Sequence, residues 1–317
     1  MTIIITYRMI CASHFRKEID MDLATLAVFR AVVREEGVTR AAELLGRAPS
    51  NVTTRIQQLE AELGTQLFHR HRKRMTLTEE GQTFLDYAER ILNLADEAQQ
   101  RLDPSSPRGT LRIGSMESTI ASRLAGPLAR FSRDWPEVTL ELTSAPSGPL
   151  LNALRARRID CALVAFPSDE DPAQADDLEL LPLFREELVL LLPSDHPEVQ
   201  TASDLRLRSL AAFAPGCTYR KLSEDWLLAE GGPAPKVQEV PSYHAMFGCT
   251  AAGACISIMP RSVVALMGPP GAVREMPLMQ VVTYLACRAG FDTAAFNAFR
   301  ECVAEATNLH AERGHAR

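Results

Sequence analysis

Residues 37–81 read GVTRAAELLGRAPSNVTTRIQQLEAELGTQLFHRHRKRMTLTEEG, and the architecture of the N-terminal part is decided there. A short first helix is expected with Thr39 as its N-cap, small Ala41 and Ala42 for close packing, and an apolar end at Leu44 and Leu45. Gly46 ends it, because glycine takes the left-handed conformation a helix terminus needs. Pro49, Ser50 and Asn51 open a second helix, with Pro49 tolerated in the first turn, where no N–H is required. Val52, Ile56, Leu59 and Leu63 recur at helical spacing as its buried stripe. Its other face carries Asn51, Thr53, Thr54, Gln57 and Gln58, short donors and acceptors suited to base edges in a major groove. The pattern is a helix-turn-helix with a reading helix, followed by a basic hairpin that forms a wing.

Charge supports this. Residues 38–77 hold seven Lys and Arg against three acids, a net of +4, in a chain whose formal charge is −6. Positive charge concentrated on one segment is what phosphate neutralisation requires. The expected DNA contacts are Arg40, Pro49, Ser50, Asn51, Thr53, Thr54, Arg55 and Gln58, with Arg70, Arg72, Lys73 and Arg74 in the wing.

With these residues the chain resembles the LysR-type transcriptional regulators. The likeness rests on Thr39-Arg40-Ala41-Ala42, Leu59-Glu60-Ala61-Glu62-Leu63-Gly64, Leu67-Phe68-His69-Arg70 and Leu77-Thr78-Glu79-Glu80-Gly81, and covers the chain from Met21 onward. It departs at Ala48-Pro49-Ser50-Asn51-Val52-Thr53, where many members have S-Q-P-A-V-S, and at the wing tip, where Arg72-Lys73-Arg74 replaces the usual glycine. Base preference therefore does not transfer. The resemblance implies a winged helix-turn-helix, a dimerising linker helix and a two-lobed α/β effector domain similar to periplasmic solute-binding proteins. It further implies a dimer of dimers on double-stranded promoter DNA, a small-molecule effector, and RNA polymerase as a partner. The reading-helix start, Ser115–Thr119 and Ser242-Tyr243-His244 are also similar to the putrescine-utilisation subgroup.

The remainder of the chain fits an α+β multidomain protein. Of its 317 residues 46% are hydrophobic and 23% charged, ordinary for globular protein, and no apolar run reaches the roughly 18 residues of a membrane span. Residues 1–20 lack a cleavage site after a short apolar stretch broken by Arg8, and read as a disordered extension from an upstream start. The seven cysteines show no metal-ligand spacing and read as reduced, mostly buried thiols of a cytoplasmic protein. Phe84, Ala88, Ile91, Ala95, Ala98 and Leu102 follow heptad spacing and are the expected dimer seam. Asp103-Pro104-Ser105-Ser106-Pro107 breaks that helix.

Strand–helix alternation follows, with strands expected at 110–115, 138–143 and 159–166 in parallel βαβ units, another strand at 187–192, and a passage through 281–288 into a last helix around 296–304. The expected division is 21–81 for DNA binding, 82–103 for the linker, 109–183 with 274–317 for one lobe and 184–273 for the other. Parallel sheets bind ligands at the carboxyl ends of strands and the N-termini of helices. Ser115, Met116, Glu117, Ser118, Thr143, Ser147 and Phe166 in the first lobe, with Cys217, Thr218, Ser242 and His244 in the second, are therefore the expected effector residues. Each position also suits a cap or a turn. Ser115 and Ser118 at a helix start favour an anionic group; Glu117 and the run Asp169-Glu170-Asp171 favour an ammonium. No nucleophile elbow, HExxH or phosphate loop is present, so no catalytic residue, metal or cofactor is expected. The function expected is an effector-responsive regulator of metabolic genes, amine- or amino-acid-related, rather than a solute-binding protein or a thiol enzyme built on Cys217 and His244.

Overall fold

The computed structural model describes residues 21–71, 74–102, 106–167, 176–229, 234–267 and 271–314, in two compact units that divide between Ala95 and Asp96. The first contains α1 (Leu23–Arg34), α2 (Val38–Leu44), α3 (Pro49–Leu63), the strands β1 (Phe68–His71) and β2 (Arg74–Leu77), and most of α4 (Glu79–Leu102). Asp22 caps α1, its carboxylate accepting from Thr25 N at 2.6 Å. Helix α2 begins two residues earlier than its sequence suggests. Gly37, in extended backbone, is the cap, and Thr39 sits in the first turn. Gly46 (φ 61°) and Gly64 (φ 68°) end α2 and α3 in the left-handed region, as expected of glycine there.

Val52, Ile56 and Leu59 of α3 are buried against Leu26, Phe29 and Val32 of α1 and against Ala41 and Ala42. Each large side chain so buried contributes about 1.5–3 kcal/mol, and Leu67 and Phe68 at the wing with Ala88 and Leu92 of α4 complete the core. Phe29 lies at its centre, 5.3 Å from the Phe68 ring and 5.1 Å from that of Phe84. The wing is a hairpin in register from Phe68↔Leu77 to His71↔Arg74.

The α4 seam differs from the expected one. Ala88 and Leu92 are buried in the core of this unit, with Phe84 and Leu85 packed beside them. The exposed apolar stripe is Tyr87, Ile91, Leu94, Ala98 and Leu102. Two apolar stripes lie side by side on this helix, and heptad spacing alone could not assign the inner one.

In the second unit the chain runs through β3 (Gly109–Ser115), then α5 (Glu117–Thr119), which continues through a π-helical turn (Ile120–Leu124) into α6 (Ala125–Asp134). There follow β4 (Val138–Ser144), α7 (Ser147–Arg155), β5 (Cys161–Ala165), the long β6 (Leu178–Pro193), β7 (Ser209–Ala212) and α8 (Thr218–Leu228). The chain closes with β8 (Lys236–Glu239), α9 (Tyr243–Ala251), β9 (Ile256–Pro260), α10 (Arg261–Val264), the long β10 (Val273–Arg288) and α11 (Ala294–Gly314). The sheet order is β4-β3-β5-β10-β6-β9-β7-β8.

The sheet is mixed rather than wholly parallel. β3, β4 and β5 are parallel at one end and β7, β8 and β9 at the other. β6 and β10 run antiparallel between them, from Val273↔Pro193 to Arg288↔Leu178. These two sixteen-residue strands belong to both lobes. β6 pairs with β9 of the second lobe from Leu188, and β10 pairs with β5 of the first from Thr283. Arg274, the expected point of return, lies near the start of β10. Helices cover both faces of each lobe: α6 and α11 oppose α7 in the first, and α8 opposes α9 and α10 in the second. Among the described residues no helix is long and apolar enough to cross a membrane.

Candidate DNA-reading face and effector cleft

On α3, Pro49, Ser50, Asn51, Thr54, Gln57 and Gln58 are exposed, directly opposite the buried stripe. Thr53 is half-buried and its hydroxyl donates to Pro49 O at 2.9 Å. Two of the expected contacts have work inside the fold. Arg40 Nε donates to the Glu35 carbonyl at the end of α1 at 2.8 Å, and its Nη2 donates to the same oxygen. Arg55 bridges from α3 to the start of α1, 3.2 Å from Asp22 Oδ1 and 3.0 Å from Thr25 Oγ1. Arg72 and Lys73 lie outside the described residues, as do the side chains of Arg70 and Arg74.

The remaining shared motifs also prove to be architectural. The Glu60 carboxylate is buried and accepts from Leu67 N at 2.9 Å and Phe68 N at 3.2 Å, tying α3 to the first wing strand. Thr78 Oγ1 accepts from Gly81 N at 2.9 Å and donates to Gln66 O at 2.8 Å, capping α4. A Cβ on Gly81 would stand 2.0 Å from Leu67 O, so only glycine fits there.

In the second unit, Met116, Glu117, Ser118, Ser147, Cys217 and Thr218 come together around one cavity of about 220 Å³ between the lobes. The α5 start, the α7 start and the α8 start each present their first residues to it. Gly114, one strand residue before this turn, has no room for a Cβ, since Ile159 and Leu150 side chains would each stand 2.6 Å away. That close contact seats β3 against α7.

Two of the hydroxyls serve the fold. Ser147 Oγ accepts from Ala165 N at 3.1 Å, and Thr218 Oγ1 donates to Ala165 O at 2.8 Å, so the end of β5 is held from both lobes. In contrast, Glu117 Oε2 is buried without a hydrogen-bond partner among the described residues, beside Ser118 Oγ and Tyr219 Oη, which are buried and interact with each other. Burial pushes the Glu117 carboxyl above its ordinary pKa, an effect partly opposed by nearby His244.

The other expected residues do not line the cavity. Ser115 is fully buried, its hydroxyl donating to Met116 O at 3.1 Å. Thr143 is exposed on the edge strand β4. Phe166 packs edge-on against Tyr284 at 5.7 Å. Ser242 caps α9, accepting from Ala245 N at 3.2 Å, and His244 is exposed. The aromatic walls, Phe213, Tyr219 and Tyr243, were missed. Their signal was the pair of helix starts at Thr218 and Tyr243, which read from sequence only as polar turns.

Beside the cleft the lobes are pinned by a buried charge. Glu186, in the shared strand β6, accepts from Arg123 Nε at 2.7 Å and from Ser262 Oγ at 2.8 Å. Arg123 belongs to the π-helical turn that follows the cleft helix, and Ser262 to α10 of the second lobe. Burial raises the thiol pKa values of Cys161, Cys217, Cys255 and Cys287, which disfavours the thiolate a nucleophile requires.

Comparison with known proteins agrees with both halves. Residues 23–82 match the bacterial regulatory helix-turn-helix protein, lysR family, and residues 104–308 match the LysR substrate binding domain. The chain is 38% identical over 266 residues to the uncharacterized HTH-type transcriptional regulator YusT of Bacillus subtilis, covering 84% of this chain and 88% of that one. A full-length OxyR variant from Pseudomonas aeruginosa shares the fold with a TM-score of 0.67 at 23% identity, over 91% of this chain and 95% of that chain. Full-length CbnR in complex with its target DNA does so with a TM-score of 0.63 at 24% identity, over 90% of this chain and 100% of that chain. A family match spanning both the helix-turn-helix and the lobed domain, with a close full-length relative, leads to one conclusion: the chain belongs to the LysR family of DNA-binding transcriptional regulators, and is a regulator with an effector-binding domain rather than an enzyme.

Proposed function

We propose that this regulator reads double-stranded promoter DNA with the exposed face of α3, using Thr54, Gln57 and Gln58 on base edges and Ser50 and Asn51 beside them. The wing residues Arg70, Arg72, Lys73 and Arg74 take the phosphates. Arg55 ties the reading helix to the start of α1, and Arg40 ties α2 to the end of α1. The small-molecule effector binds in the cleft between the lobes. The observation that carries this is the unpartnered polar atom on the cleft, Glu117 Oε2, at the start of a helix whose continuation is hydrogen-bonded to the other lobe. Leaving such a group buried and unanswered costs about 1–3 kcal/mol, and a bound polar ligand removes that cost.

The protein works in the cytoplasm as a dimer of dimers, paired along α4, and controls metabolic genes related to amines or amino acids. Effector binding changes the relation between the lobes, and the coupling to DNA is typically about 1–3 kcal/mol. The solved complex of CbnR with its target DNA supports the choice of partner. The test is a gel-shift and footprinting series on the DNA upstream of the protein's own gene. Thr54→Ala should weaken binding to the protected site by about 1–3 kcal/mol and leave binding to random DNA nearly unchanged. Equal losses on both would remove α3 from the reading role.

A further inference from the structure

We propose that the cleft takes a small organic monocation, an ammonium carried on an apolar body, and accepts neither a carboxylate nor a zwitterionic amino acid. The inference rests on the reading of the cleft as the effector site and narrows it. Glu117 is the one charged side chain among the described residues that line the cleft, and its Oε2 is without a partner. Ser118 Oγ, on a residue 3% exposed, and Tyr219 Oη are buried beside it and interact with each other. Each of these three groups accepts a hydrogen bond from an N–H.

Ser144, Ser147, Cys217 and Thr218 also line it, with the Ser147 and Thr218 hydroxyls committed to Ala165, and the remaining wall is apolar or aromatic. Met116, Ala145, Pro146 and Phe213 contribute carbon surface, and the Phe213 and Tyr243 rings meet edge to face at 4.8 Å. Aromatic faces beside a carboxylate suit an ammonium, which both attract. The neighbouring arginines are already engaged. Arg220 is held by Glu224 at 2.9 Å, Glu239 at 2.8 Å and Phe213 O at 3.0 Å, and Arg123 by Glu186 at 2.7 Å. A ligand carboxylate would thus enter beside Glu117 with no lining cation to receive it. His244 is exposed and does not line the cavity. A second ammonium on the same ligand would have no second acid, so the diamine suggested by the subgroup likeness is also disfavoured.

The full-length protein should be titrated calorimetrically with phenethylamine, hydrocinnamate, hydrocinnamamide, phenylalanine and putrescine. Phenethylamine should bind tightest. Glu117→Gln should weaken it roughly ten- to a hundredfold while leaving the amide unchanged, which also shows that the variant is folded. Tighter binding by hydrocinnamate, phenylalanine or putrescine, unaltered amine affinity in Glu117→Gln, or binding by none of the five would overturn the ligand class. The cleft itself is judged by Ala145→Trp, which fills the cavity. Amine binding that survives Ala145→Trp would refute the cleft as the site. Its abolition there, with an acid preferred in the wild type, would keep the site and reject only the monocation.

Discussion

The two units place their conspicuous residues differently. In the N-terminal unit the residues that make the motif recognisable, Arg40, Glu60, Thr78 and Gly81, are tied to the protein's own backbone at Glu35, Leu67, Phe68 and Gln66. The exposed face of α3 consists instead of Ser50, Asn51, Thr54, Gln57 and Gln58, which make no such ties. In the effector unit the helix starts that looked like ligand sites do meet at one cleft, although Ser147 and Thr218 hold Ala165 instead of standing open. A recognisable motif therefore marks scaffold in the first unit and location in the second. In neither does it mark specificity.

The comparison is broken most severely by attacking the scaffold of the effector unit. Glu186 is 4% exposed, and Arg123→Leu would leave its carboxylate buried with only the Ser262 hydroxyl to answer it. Removing one partner of a buried pair costs about 3–5 kcal/mol. Urea unfolding of the variant should show that loss in the effector unit. A loss near zero would mean that the lobes do not depend on this pin.

The corresponding change in the first unit is Glu60→Leu, which strands the Leu67 and Phe68 N–H groups. The expected loss is about 2–3 kcal/mol, with cognate and random DNA affinities falling together as the wing detaches from α3. A selective loss on the cognate site alone would make Glu60 a reader and reverse the comparison.

How legible these features were depends on the range of the interactions behind them. The α3 stripe and the helix stop at Gly46 were readable because helical periodicity and left-handed glycine are local properties. The first-lobe strands were readable for the same reason. β7, β8 and β9 were not. Ser209–Ala212 and Lys236–Glu239 hold one large apolar residue each. Ile256–Pro260 is interrupted by Ser257 and ends in proline, whereas the equally short β5 is an unbroken apolar run. The long β6 and β10 were seen only in part, because each changes partners along its length and so changes its burial pattern. Met116 to Ser118 were found from their position after a strand. Phe213 and Tyr243 reach the cleft only through folding of the second lobe, which no local rule describes.

A third test concerns the linker helix, where two stripes competed. With Ala88 buried and Ile91 and Leu94 exposed, the dimer surface should be Tyr87, Ile91, Leu94, Ala98 and Leu102. Leu94→Asp should then dissociate the dimer in light scattering, because an unpaired charge would be buried on association. Thermal unfolding of the monomer should hardly change, as Leu94 is 48% exposed within one chain. Full dimer mass in this variant would place the interface on another surface. The last turns of α4 provide an internal contrast. Asp96 pairs with Arg112 at 3.1 Å and Glu97 with Arg157 at 2.6 Å, both within the second unit, so these two residues have partners of their own.

The smallest effect belongs to the wing. If scaffold and specificity are separate in this molecule, Arg72 and Arg74 supply charge and no discrimination. Replacing both with Gln should lower affinity for cognate and random DNA by the same factor. It should also flatten the dependence of log K on log salt by about 0.9 for each phosphate no longer neutralised. Because counterion release carries no sequence information, the ratio of the two affinities should stay constant across the salt series. A ratio that changes would show that the wing reads a groove. The expected division between reading helix and phosphate-binding wing would then give way to one reading surface spanning both.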